Sequence, residues 1–143
     1  MTPEQIQLVK QNWEMVRTID PVVVGQLFYN RLFEIAPSLQ PLFKSPVPEQ
    51  SKKLMAMIGY VINKLDKLDD ILHEVEHLAK RHVQYGVKDE HYTYVGRALL
   101  WTLEKGLGEH WNEKARQAWT ACYTILAETM INAGAGIGSS KAA

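Results

Sequence analysis

The chain has 143 residues, with 16 basic and 16 acidic side chains and so no formal net charge. Its length suits one domain with a real core, and the charge balance gives no electrostatic reason to expect nucleic acid or an anionic membrane as partner. The single cysteine excludes an internal disulfide, the MTPEQIQ start lacks a basic stretch and apolar run, and no segment approaches the ~20 apolar residues of a membrane span, so a cytoplasmic protein is expected.

Thr2-Pro3-Glu4-Gln5 predicts an N-cap, a proline at the first helical position and a capping-box glutamine. The helix it opens carries Ile6, Val9, Trp13 and Val16 on one face and ends before Asp20-Pro21, which starts a second helix. That second helix is apolar on two faces: Val24, Leu27, Phe28 and Ile35 on one, Val22, Gly25, Tyr29 and Phe33 on the other. Such a helix is expected between neighbours. Gly25 costs about 1 kcal/mol of helix stability against alanine, and its expected use is a close crossing with another helix. Pro37 ends the helix and begins a short turn closing at Phe43, followed by a loop over 44–48.

A third long helix is predicted from about Pro48 to Leu65, with the stripe Gln50, Leu54, Met57 and Val61. The segment DKLDD then leads to a helix over Ile71–Val87, stopped at Gly86. The next helix has Asp89 as its expected cap, runs to about Gly106 and bears Val95, Leu99 and Leu103. Asn112-Glu113 starts the last, marked by Ala115, Trp119, Tyr123, Leu126 and Met130. Cys122, beside Trp119 and Tyr123, reads as a core thiol. The Gly-rich end, 133–143, reads as a flexible tail after a domain over 1–132. Six to eight helices, with no convincing strand or repeat, make an all-α fold.

Two histidine patterns compete within 71–87. At about 100° per residue, Ile71, Val75, Leu78 and His82 share one narrow face, so an imidazole ends an aliphatic stripe. The same stretch holds HExxH, His73-Glu74-Val75-Glu76-His77, which elsewhere marks a zinc protease helix. Here His73 and His77 point roughly 200–240° from the stripe, towards solvent, where a catalytic zinc pair has no walled cavity. Glu74-x-x-His77 is also half of a di-iron carboxylate pattern, and no second copy is present.

Taken together these residues resemble a globin. Phe43 follows Pro37 by six residues, as the haem-clamping phenylalanine does in that family. Gln50 and Leu54 match the distal gate and the apolar position over the haem, and His82 matches the proximal ligand before the break at Gly86. The stretches RHVQYGVKDEHYTYVGRALLWTLEKGLG and AWTACYTILAETM resemble neuroglobins and single-domain bacterial haemoglobins.

The resemblance implies a globin fold sandwiching haem b. Neutral imidazole is a good ligand for haem iron, and the other nitrogen of His82 is placed to bond the Leu78 carbonyl. Phe43, Leu54, Val87, Val95 and Leu99 would line the pocket; Lys53, turned outward, is the candidate partner of a propionate. Tyr29 and Gln50 match positions that meet bound dioxygen or other diatomic gases. Both donate hydrogen bonds, worth about 1.5–3 kcal/mol each to a charged acceptor, which implies high affinity and slow release.

Two departures shape the expectation. Neuroglobins place a second iron-binding histidine where Gln50 stands. Flavohaemoglobins pair a tyrosine, matched by Tyr92, with a late glutamate whose position falls here at Gly134, six residues past Glu128. No flavin reductase domain is visible, so a self-sufficient nitric oxide dioxygenase is not expected. The leading reading is dioxygen binding for storage, sequestration or sensing, by a monomer or weak dimer. The alternative is a nitric oxide dioxygenase or peroxidase-like globin served by a separate reductase; a haem-free helical module is the third reading, against which His82 stands.

Overall fold

The N-terminal capping box forms as the sequence predicts: Thr2 Oγ1 accepts from Gln5 N at 3.1 Å, and Gln5 Oε1 accepts from Thr2 N at 3.0 Å. It opens α1 (Pro3–Val16) in the computed structural model, which describes residues 1–84 and 88–142. Asp20 caps α2 (Pro21–Ile35) by accepting from Val22 N. A 3-10 turn, Pro37–Leu42, leads to α3 (Val47–Asn63), and a second, Leu65–Ile71, to α4 (Leu72–Gln84). Then come α5 (His91–Leu107), a third short turn and α6 (Glu113–Ala142), the last capped by Asn112 Oδ1 on Ala115 N at 2.9 Å. Among the described residues there is no strand, and no helix is long and apolar enough to cross a membrane.

The main core joins α1, α3, α5 and α6. Val9, Trp13 and Val16 meet Ile62, Leu103, Leu107, Trp119 and Cys122 there. The sequence stripes foresee most of it, but not its polar contact, a buried 3.1 Å bond from Trp119 Nε1 to Asn12 Oδ1. Burial pushes the Cys122 thiol up to about 11, as befits a core thiol and not a nucleophile.

Three local expectations are corrected. Leu27 is exposed, and Leu32, outside both stripes, is fully buried instead. Asp89 does not cap α5, whose N-terminus has no side-chain cap; just before it the backbone N–H of Lys88 donates to His91 Nδ1 at 3.0 Å. On α3 the buried residues are Ser51, Met55, Val61 and Ile62, so of the predicted stripe only Val61 is buried, while Gln50, Leu54 and Met57 are half-buried. That rotation has a physical cause: Ser51 is drawn in against Gly25.

Candidate functional site

The site begins at the crossing of α2 and α3. Ser51 is completely buried, and a methyl group placed on Gly25 would overlap its side chain and come within 2.7 Å of its Cα. Only glycine lets the two helices approach this closely. The crossing sets the first turn of α3, with Gln50, beside the middle of α2, one turn from Tyr29.

Tyr29 lies in an aromatic cluster. Its ring centroid is 5.0 Å from that of Phe28, 5.2 Å from Phe43 and 6.0 Å from Phe33; Phe33 and Phe43 are 5.6 Å apart. Leu54, Val95 and Leu99 pack against the same cluster. Five of the predicted pocket residues, Tyr29, Phe43, Leu54, Val95 and Leu99, are therefore in one apolar assembly. Phe33, read from sequence only as part of a helix face, is the third ring that holds Tyr29; its spacing of four from Tyr29 was the available signal.

Buried tyrosines normally find a hydrogen-bond partner. Tyr29 is 3 % exposed and its hydroxyl has none among the described residues. Burial pushes its pKa up to about 12, so the phenol keeps its proton at any physiological pH.

The second half of the site is on α4. His82 is half-buried and its Nδ1 lies 2.8 Å from the Leu78 carbonyl oxygen. A carbonyl only accepts, so Nδ1 carries the hydrogen, and in the neutral ring the lone pair is on Nε2. Desolvation lowers the His82 pKa, outweighing the Leu78 bond that raises it, with Arg81 lowering it further. The neutral tautomer required of a metal ligand is thereby favoured. Leu78 and Tyr92 both pack against the cluster that holds Ile71 and Val75. The start of α5 thus bridges both halves, Tyr92 reaching the α4 side and Val95 and Leu99 the aromatic cluster.

Gln50 is half-buried and Lys53 exposed. Val87 lies outside the described residues. His73 and His77 are both exposed, the side chain of His73 to 93 %, and no group of three possible metal ligands occurs among the described residues. Both HExxH histidines thus face solvent, as the helical spacing predicts. These residues fit a haem: an imidazole with an oriented tautomer, an apolar lining and a buried phenol lacking a protein partner.

Comparison with known families decides the assignment, for the globin family model matches residues 26–130. The chain belongs to the globin family. It is 30% identical to Neuroglobin-1 of Oncorhynchus mykiss over 155 aligned positions, covering 99% of this chain and 97% of that one. It is also 30% identical to a flavohemoprotein of Vibrio cholerae, covering 92% of this chain but spanning only 34% of that relative's length. Among solved structures, a bacterial globin from Campylobacter jejuni superposes with a TM-score of 0.84 at 28% identity, over 96% of this globin and 99% of that one. Membership implies a haem cofactor, and the fold is the one the sequence predicts.

Proposed function

We propose that this globin binds dioxygen on haem b with high affinity and slow release, for storage, sequestration or sensing. The observation that carries the reading is Tyr29, a buried side chain whose hydroxyl makes no hydrogen bond to a described residue. When bound, haem b supplies the iron that takes up the gas. His82 would hold that iron through Nε2, its ring fixed by the Leu78 carbonyl. Phe43, Leu54, Val95 and Leu99, with Tyr92 towards the α4 side, would enclose the group and keep water out, and Val87 is a further candidate for the lining. Lys53 would meet a propionate at the exposed edge. Tyr29 would donate its O–H, and Gln50 its amide N–H, to a polar diatomic ligand, and neither donor is displaced by proton loss at physiological pH.

Replacing Tyr29 with Phe removes the hydroxyl and keeps the ring contacts. A lost bond to a charged acceptor costs about 1.5–3 kcal/mol, so dioxygen release should quicken roughly tenfold to more than a hundredfold. Carbon monoxide, less polar when bound, is the control and should change far less. Equal effects on both gases in stopped flow would mean that Tyr29 acts by packing, and the polar-pocket reading would fail.

The similarity to a flavohemoprotein over a third of its length supports a second reading, nitric oxide dioxygenase chemistry with electrons from a separate reductase. Sustained nitric oxide consumption with a cellular reductant distinguishes it from simple gas binding.

A further inference from the structure

A second concave surface lies between α2, α5 and the start of α6, a groove of about 430 Å³ whose apolar lining is Ile35, Leu100, Trp101 and Trp111. Its charges are of two kinds. Arg31 and Arg116 are already paired within their own helices, with Glu34 at 3.3 Å and Glu113 at 2.6 Å. Arg97 and Glu104, both exposed and both on α5, have no ion pair among the described residues. They stand seven residues apart, two helical turns and about 10 Å along one face. The midpoint between them falls between Leu100 and Trp101, the apolar centre of the groove. Trp101 is itself held in place, with the Arg31 guanidinium 5.2 Å and the Lys105 ammonium 5.6 Å from its ring centroid.

We propose that this groove is an interface with a second copy of the chain, α5 packing antiparallel on its symmetry mate about a two-fold axis at Leu100–Trp101. In an isologous contact residue i meets j and j meets i. An axis at the midpoint therefore sets Arg97 of each copy against Glu104 of the other, twice, around an apolar centre. Tryptophan and arginine are the residues most often dominant in such contacts. An acidic partner would need a groove with a clear positive excess. Here two arginines are neutralised in place and Arg97 is balanced by Glu104, leaving Lys105 alone, so the surface complements itself better than it complements an anion. A chain without net charge also has little self-repulsion to overcome. On α2, Leu27 and Val23 lie about one and two turns before Arg31 and are exposed, extending the apolar margin.

Charge swapping tests this on the full chain by sedimentation velocity over a concentration series at low salt. Wild type should show a mass that rises with concentration towards twice that of one chain, and added salt should lower it. R97E alone and E104R alone each set like charges across the axis, and each should weaken self-association by about tenfold or more. Mixed in equal amounts, the two single variants bring opposite charges together at both contacts and should associate like wild type, as should the double variant R97E/E104R. Both positions are exposed, and recovery in the mixture proves that each variant folds. A wild-type chain that stays monomeric throughout, single variants that associate as wild type does, or a mixture that fails to recover would each overturn the proposal. So would finding that the groove takes up an acidic protein while the chain alone never self-associates.

Discussion

Replacing Gly25 with Ala measures how closely α2 and α3 must cross. In an exposed helix the change would stabilise by about 1 kcal/mol, because alanine is the better helix former. Here the new methyl overlaps the Ser51 side chain and lies 2.7 Å from its Cα. Rotation of Ser51 cannot relieve a clash with backbone, so the helices must separate. Overpacking of this kind costs about 1–3 kcal/mol, and the net effect should be destabilisation by about 0–2 kcal/mol. Urea titration should show a lower midpoint with an unchanged slope. Ser51→Gly in the same chain removes the side-chain overlap but keeps the 2.7 Å contact with the backbone, so the double variant should regain only part of the stability, with a coupling energy of about 1 kcal/mol. The separation also shifts Gln50 relative to Tyr29, so Gly25→Ala should quicken dioxygen release. A stabilised Gly25→Ala variant with unaltered release would refute the close crossing as the element that sets the pocket.

Other consequences follow from the same geometry. His82→Ala should lose stoichiometric haem and the ferrous spectrum of an imidazole-ligated haem; a spectrum like that of wild type would sink the ligand assignment. Replacing His73 and His77 together with Ala should leave fold and haem content within about 0.5 kcal/mol of wild type, as for ordinary surface changes; loss of a zinc-dependent peptidase activity would contradict that. Alkaline stability should carry the mark of Tyr29. Its pKa is raised by burial from 10 to about 12, so its contribution is intact below pH 10 and is lost as pH rises towards 12. Tyr29→Phe should flatten the fall of stability across that window, with Tyr123 and Cys122, also pushed up by burial, accounting for much of the rest.

Much of this molecule was legible in the sequence because the signals are local. The Thr2–Gln5 capping box, Asp20-Pro21 and Asn112 all act within three residues of themselves. The Leu78–His82 bond likewise depends only on one turn of helix. Contacts between elements were harder to read. Leu27 fits an apolar stripe as well as Leu32 does, and only the position of the neighbouring helices decides which is covered. The Asn12–Trp119 bond joins residues 107 apart in the chain, a separation at which no periodicity speaks. Gly25 was the exception, since a glycine inside a strong helix has a cost that only a close neighbour explains. The groove around Trp101 was illegible for the same reason as Leu27, being made by three helices and visible in none.

Two hydroxyls near the crossing, those of Ser51 and Tyr29, separate stability from function. Ser51 Oγ is fully buried with no partner, and so is costly to the fold; an unsatisfied buried group costs about 1–3 kcal/mol. Its neighbourhood nevertheless explains it, because few residues small enough for the Gly25 contact exist. Tyr29 has no such excuse. Its ring contacts with Phe28, Phe33 and Phe43 are hydrocarbon, and phenylalanine would make them equally well without the hydroxyl. The fold alone therefore favours phenylalanine at position 29. If the hydroxyl is kept for a ligand, Tyr29→Phe must separate two measurements: the haem-free chain should lose no stability, while the haem-loaded chain should release dioxygen faster. A variant that loses stability as a haem-free chain would show that the hydroxyl serves packing after all, and the case for a polar gas-binding pocket would lose its main support.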